Sequence, residues 1–370
     1  MQRLTLVLLG LILVAPVVAA GQSSTPRILN GRVETRTGSA IDREISAASA
    51  PASTEPVWVA WRAPMIRGDR DMCGWYVDQQ YAIRGAFLND DLRGLNADPR
   101  ASPLNTPPSG PVPLEAGTNV IVLARIIGGQ VERLRTVGDD CPMDAGGRTV
   151  YWLSTVTSAE SVRYLASLTR PAEADRSMAD PERTVVSSAV RAIAYHADPA
   201  ADATLDQIAA SHTDSGVRRQ AARVLADYRG AHGVATLVRL LGTERDVEMR
   251  RSLVTSLGAS RDASAMEALR PYLKDADARV RAEAAYAFVQ RGGAAVLPEA
   301  LRIISSDADD TVRRRVVSSI GRLPGDAGVP TLIQLVRTST NDVVRKEAVT
   351  ALSQSKDPRA MALIEEILKK

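Results

Sequence analysis

The sequence predicts a multidomain α+β chain: a small, disulfide-bonded, β-rich domain followed by an all-α solenoid of about six helix pairs. Three observations predict it. A stretch beginning Asp214-Ser-Gly-Val-Arg218 recurs, and its arginine has counterparts at Arg250, Arg281, Arg313 and Arg345, in steps of 32, 31, 32 and 32 residues. Self-similarity at such a period marks stacked units that cannot bury their apolar faces alone. Tryptophan is segregated, with Trp58, Trp61, Trp75 and Trp152 all ahead of the repeats. The two cysteines, Cys73 and Cys141, share that front half.

Residues 1–20 read as an export leader. Arg3 supplies the positive charge, Leu4 to Val18 the apolar run, and Val18-Ala19-Ala20 a small-residue cleavage site. The run is shorter than the roughly 20 residues a membrane span needs. An uncleaved anchor is the weaker alternative. The expected location is therefore the periplasm or the exterior, with no stable membrane span after leader removal. In an oxidising compartment Cys73 and Cys141 most simply form one disulfide. Two free buried thiols or a metal pair are the alternatives, but zinc wants four ligands, and His196, His212 and His232 all lie among the repeats. A net charge of +3 with 24 % charged residues demands no polyanionic partner.

Residues 21–56, rich in Ser, Thr and Ala, read as linker with one strand in Arg27–Thr35. The β-rich domain is expected over 57–169. Val57 to Met65 has the β-branched and aromatic content of a strand, and Trp75-Tyr-Val that of a shorter one. A connection carrying Pro99, Pro103, Pro107, Pro108 and Pro111 follows. Gly128-Gly129 joins two strands as a hairpin, although Val131, Leu134 and Val137 break strict alternation in the second. Val150-Tyr-Trp-Leu is a further strand, and Thr157 with Glu160 has capping-box spacing for a helix from Ser158 to Leu168. Residues 170–182 read as a second linker, and 183–370 as the solenoid.

In each repeat the first helix carries an apolar stripe, as in Val217, Ala221, Val224 and Leu225. The second carries another, as in Val234, Leu237, Val238 and Leu241. Val186 to Ile193 forms a degenerate first copy, with Val186 in the arginine column. The Asp-x-x-x-Arg pairs Asp214/Arg218, Asp246/Arg250, Asp277/Arg281 and Asp309/Arg313 resemble the HEAT repeat in the short form of phycobilisome-lyase-like proteins. The fifth departs, with Asn341 before Arg345. The front half, with Met72-Cys73 and Asp139-Asp-Cys-Pro, is similar to that of exported bacterial HEAT-repeat proteins.

A periodic ladder is what stacking requires, so each Asp is expected to cap a helix while its arginine ties neighbouring repeats together. The competing reading is a basic track extended by Arg219, Arg251, Arg314, Arg315 and Lys346. Export removes nucleic acid as its usual partner. For recognition the sequence offers a column on the second helices, Gln207, Arg239, Arg302, Gln334 and Glu366, because HEAT-like arrays generally line their concave face with those helices. The expected function is a non-catalytic scaffold that binds a protein or peptide, with no cofactor. The alternative is a HEAT-like lyase or oxidoreductase, marked by a bound chromophore or iron. The resemblance implies repeated His-Glu pairs for the di-iron hydroxylases of the family, and here the histidines precede Ala197, Thr213 and Gly233. Asp90-Asp91, Asp139-Asp140 and Asp144 are calcium-ligand types, but Asp139-Asp140 followed by Asp144 lacks the density of a dedicated loop and reads as a solvated loop beside the cystine.

Overall fold

The computed structural model describes residues 26–38, 40–48, 55–67, 72, 73, 75–78, 81–88, 117–170 and 184–369. The leader, the proline-rich connection, Asp90-Asp91 and nearly all of the 170–182 linker lie outside them.

The front domain is built on a five-stranded mixed sheet. Its strands are β2 (Arg32–Arg36), β3 (Val57–Pro64), β7 (Asn119–Ile127), β8 (Gln130–Gly138) and β10 (Thr149–Leu153), in the order β2-β10-β3-β7-β8. Strand β10 runs parallel to both neighbours, while β3, β7 and β8 form an antiparallel meander. Period-two alternation sorts the side chains onto two buried faces. Val59, Trp61, Ala63, Val120, Val122 and Ala124 face helices α1 (Ile41–Ala48) and α2 (Ser158–Ser167). Trp58, Ala60, Ile121, Leu123 and Trp152 face a second core that holds Cys73 and Cys141.

Three local expectations meet their physical reasons here. Gly128 and Gly129 both take positive φ, 55° and 78°, as a two-residue type I′ turn requires. The broken alternation in β8 is a bulge. Arg125 faces Arg133 while Ile126 faces Val131, so Glu132 is the extra residue and Val131 returns to the face of Leu134. Thr157 caps α2 through its side chain, and the Glu160 carboxylate accepts the Thr157 N–H at 2.8 Å.

The segment read as linker is different. It holds β1 (Ile28–Leu29), β2 and α1, and α1 buries Ile41, Ile45 and Ala48 on the sheet. The Arg27–Thr35 strand is two strands split at Asn30, whose φ of 49° turns the chain. β1 pairs with β9 (Met143–Asp144), which also pairs with β6 (Ala86–Phe87), in a separate three-stranded sheet. β4 (Trp75–Asp78) and β5 (Tyr81–Arg84) make a hairpin. Of the pieces beyond β1 only β4 is expected, at Trp75-Tyr-Val; β5, β6 and β9 are too short or too weakly patterned to be read from sequence. Cys73 and Cys141 form a disulfide, Cα atoms 5.3 Å apart across 68 residues of chain.

Twelve α-helices follow as six pairs among the described residues: α3 (Val185–Tyr195) with α4 (Pro199–Ser211), α5 (Ser215–Tyr228) with α6 (Gly230–Thr243), α7 (Val247–Ala259) with α8 (Ala265–Leu269), α9 (Ala278–Gly292) with α10 (Leu297–Ser306), α11 (Asp310–Gly321) with α12 (Val329–Thr338), and α13 (Asp342–Ser353) with α14 (Pro358–Leu368). In the third pair the second helix tightens into a 3-10 turn at Arg270–Lys274, where Pro271 has no N–H to continue the α pattern.

Front domain and solenoid share one core, running from the sheet through α2 into α3, α4 and α5. Backbone bonds seal the seam: Ile66 N–H donates to Tyr195 O at 2.9 Å and Ala197 N–H to Pro64 O at 2.9 Å. Beneath it runs a buried polar chain. Trp61 Nε1 donates to Ser161 Oγ at 2.7 Å, and Ser161 Oγ meets His196 Nε2 at 2.7 Å. His196 Nδ1 lies 2.8 Å from Ala192 O. A carbonyl only accepts, so Nδ1 carries the proton, and Nε2 takes that of Ser161. Every member is satisfied with the imidazole neutral. Burial pushes the His196 pKa down, and this outweighs the opposing pull of the Ala192 carbonyl and Asp198.

Candidate binding surface

The first helices begin on side-chain caps. Asp214 accepts from Gly216 N–H at 2.6 Å, Asp246 from Met249 at 2.8 Å, Asp277 from Arg279 at 2.8 Å and Asp309 from Thr311 at 2.7 Å. Asn341 serves at the fifth, accepting from Val344 N–H at 3.0 Å. One turn later the arginine lies under the C-terminal end of the preceding second helix, whose last carbonyls lack helical partners. Arg218 donates to Ala209 O at 3.2 Å and Arg250 to Leu241 O at 3.1 Å. Arg281 donates to Asp275 O at 2.9 Å and Arg345 to Ser339 O at 2.9 Å.

Sequence reasoning missed the other half of the ladder. Arg218 pairs with Glu244 and Arg250 with Asp275, while Arg281 holds both oxygens of Asp307 at 2.8 and 3.0 Å. Each acid sits two residues before the next cap and accepts that cap's backbone N–H: Asp246 at 2.9 Å, Asp277 at 3.0 Å and Asp309 at 2.9 Å. One carboxylate therefore closes a turn and receives an arginine from the repeat before it. Burial would raise the Asp307 pKa, but the bonds from Arg281 and the Asp309 N–H prevail and hold it below the ordinary range. The signal was present as an acid two positions ahead of three successive caps. The column ends at Ser339, so Arg313 turns to Asp310 of its own helix at 2.6 Å and Arg345 to Asp342.

The first helices form the tighter layer. Helices α5, α7, α9, α11 and α13 pack side against side, whereas the second helices meet only sparsely across repeats. Small residues permit it: a Cβ added at Gly258 would stand 2.4 Å from the Cβ of Ala287 in the next repeat, and one at Gly321 2.8 Å from that of Ala351. In a stack of helix pairs the layer with the shorter spacing lies on the inside of the curve. A groove of about 470 Å³ opens on this layer, across α7, α9, α11 and α13.

Gln207, Arg239, Arg302, Gln334 and Glu366 are all exposed and stand on the second helices, which make the sparser, outer layer. Arg239 pairs with Asp206 at 3.3 Å and Glu366 with Arg337 at 3.4 Å. On the inner layer the residue after each ladder arginine is Arg219, Arg251, Ala282, Arg314 and Lys346 in turn; Arg219, Arg314 and Lys346 are exposed, Arg251 is half-buried and Ala282 is buried. Arg251 bonds Glu248 at 2.8 Å, and Arg315, beside this column, bonds Glu283 at 3.2 Å.

The histidines are engaged separately. His212 Nε2 reaches Thr169 O at 3.0 Å and His232 Nε2 reaches Asp206 at 3.1 Å, while His196 is in the buried chain. Among the described residues no three of His, Cys, Asp and Glu gather as a ligand set. No helix among them is long and apolar enough to cross a membrane.

Comparison with known proteins agrees with this architecture. The family model for HEAT repeats matches residues 174–257, 234–305 and 297–370, and the chain belongs to the HEAT-repeat family. Among solved structures, human deoxyhypusine hydroxylase in complex with glycerol is 19 % identical with a TM-score of 0.29, over 56 % of this chain and 90 % of that one. The CpcE–CpcF complex of phycocyanin lyase from Nostoc sp. is 22 % identical with a TM-score of 0.30, over 56 % and 81 %. An engineered protein is 22 % identical with a TM-score of 0.25, over 54 % and 92 %. No curated protein matches. None of these likenesses bears on activity.

Proposed function

We propose that this chain is an exported, non-catalytic scaffold that binds a protein or peptide partner in the groove of its inner helical layer. One observation carries the reading: a concavity spanning the first helices of four successive repeats, lined mostly by exposed or half-buried charged and hydroxyl side chains, beside a ladder that spends its own charges internally. Binding by repeat arrays uses such extended concave surfaces. The export leader and the Cys73–Cys141 disulfide support a location outside the reducing cytosol.

The test is capture from the exported fraction with the mature chain, followed by cross-linking and peptide mapping. Cross-links are expected on α7, α9, α11 and α13. Cross-links confined to α6, α10 and α12 would move the site to the outer layer. A stoichiometric chromophore or iron in the purified chain would replace the scaffold with the lyase or oxidoreductase alternative.

A further inference from the structure

The inner groove has a charge pattern that selects its occupant. Four of the five residues in the column Arg219, Arg251, Ala282, Arg314 and Lys346 are cations, and the single break is Ala282 on α9. Shortening an arginine to a methyl group there opens the depression of about 470 Å³, with Arg251, Arg279, Arg314 and Arg315 around it. Glu283 and Glu347 also line it, and Glu248 and Asp277 pair with Arg251 and Arg279.

The four arginines are not equally committed. Arg251 and Arg279 both bond Glu248, at 2.8 and 3.3 Å, and Arg279 also holds both oxygens of Asp277 at 3.3 and 3.2 Å. Arg315 bonds Glu283 and lies over the Tyr286 ring at 4.0 Å. Arg314 is exposed, and its side chain makes no hydrogen bond among the described residues; the same holds for Lys346 on the next inner helix. A planar guanidinium beside a cavity is shaped for a carboxylate.

We propose that the groove binds an extended acidic segment of a partner protein, one carboxylate seated over Ala282 at Arg314 and another at Lys346. This deepens the inner-groove reading and rests on it. The column cations Arg219, Arg251, Arg314 and Lys346 follow one another from helix to helix, which suits a chain over a single small anion. Packed helices stand roughly 8–10 Å apart, and an extended chain advances about 3.3 Å per residue. An acid at every third residue therefore keeps step with the repeats. Glu283 and Glu347, between the cations, disfavour an unbroken acidic run.

The test is fluorescence anisotropy of the full chain with a labelled synthetic peptide carrying aspartate at every third position. A second peptide of identical composition has its aspartates clustered. The spaced peptide is expected to bind more tightly, and to weaken as salt screens the charges. Arg314→Glu should weaken it by about tenfold or more, since a rim cation becomes a like charge. Ala282→Arg restores the residue type of the neighbouring repeats while filling the depression. A seated carboxylate predicts weaker binding to that variant; simple charge attraction predicts tighter binding. Melting curves of both variants establish that they are folded. Equal affinity for the two peptides, or tighter binding by Ala282→Arg, overturns the proposal. If the captured native partner is lost by Arg314→Glu while neither peptide binds, the acidic segment fails and the inner groove stands. If the native partner is retained by Arg314→Glu, the groove reading fails as well.

Discussion

The ladder predicts a graded response to removal of its arginines, largest in the middle of the stack. In Arg281→Ala the lost group is mostly buried, its side chain 18 % exposed against 9 % for its partner Asp307. It gives up both bonds to Asp307, at 2.8 and 3.0 Å, and those to Asp275 O and Ala276 O at 2.9 and 3.2 Å. Breaking one side of a buried, hydrogen-bonded pair costs about 3–5 kcal/mol. Asp307 keeps the Asp309 N–H, which places the expected loss near the lower end, at about 3 kcal/mol. Arg345→Ala is the internal control. That side chain is 43 % exposed, and its partner Asp342, three residues away on the same helix, is 70 % exposed. Such a pair contributes less than about 1 kcal/mol, and the bond to Ser339 O at 2.9 Å adds about 1 kcal/mol, still well short of the loss at Arg281. Urea unfolding followed by circular dichroism gives the difference, and amide exchange locates it. Because each repeat touches only its neighbours, faster exchange should concentrate in α9, α10 and α11. A cost at Arg345 equal to that at Arg281, or an Arg281 cost below about 1 kcal/mol, would refute the ladder.

Further outcomes follow from the same structure. Gly258→Val should destabilise by about 1–3 kcal/mol, because its Cβ meets Ala287, whereas Gly242→Ala, with nothing within 4 Å, should be neutral or stabilising; thermal melts compare them. The folded His196 pKa lies below the unfolded value, so the unfolded chain binds the extra proton. Stability should fall as pH drops through about 6.5 towards the folded value, by at most about 1.4 kcal/mol per pH unit, and His196→Gln should remove this dependence in urea titrations across that range. Non-reducing peptide mapping should join Cys73 to Cys141, and reduction of a loop of 68 residues should cost about 4 kcal/mol in the chain-entropy model.

The solenoid was legible because its determinants are local and periodic. Five arginines in register, an aspartate four residues before most of them and apolar stripes at helical spacing suffice to place the helix pairs. The hairpin was legible for the same reason, since Gly128-Gly129 carries its turn in two residues. Long-range pairings were not. β1 and β9 are two residues each and meet across more than a hundred positions, so no window of sequence holds the pattern. Helix α1 was hidden in a Ser- and Ala-rich segment because its apolar face is only Ile41, Ile45 and Ala48. Alternating stripes do not reveal which helix layer packs more tightly. Gly258 and Gly321 mark that layer, and they become readable only once their neighbours Ala287 and Ala351 are known.

Whether the inner layer recognises the partner is decided by measuring native-partner affinity for two charge-reversed proteins. One carries Arg314→Glu with Lys346→Glu on α11 and α13; the other carries Arg239→Glu with Arg302→Glu on α6 and α10. Both pairs lie on exposed side chains and should leave the melting temperature unchanged. Affinity should drop at least about tenfold for the first pair and stay within about twofold for the second. Loss confined to the second pair would contradict the account and return recognition to the outer helices.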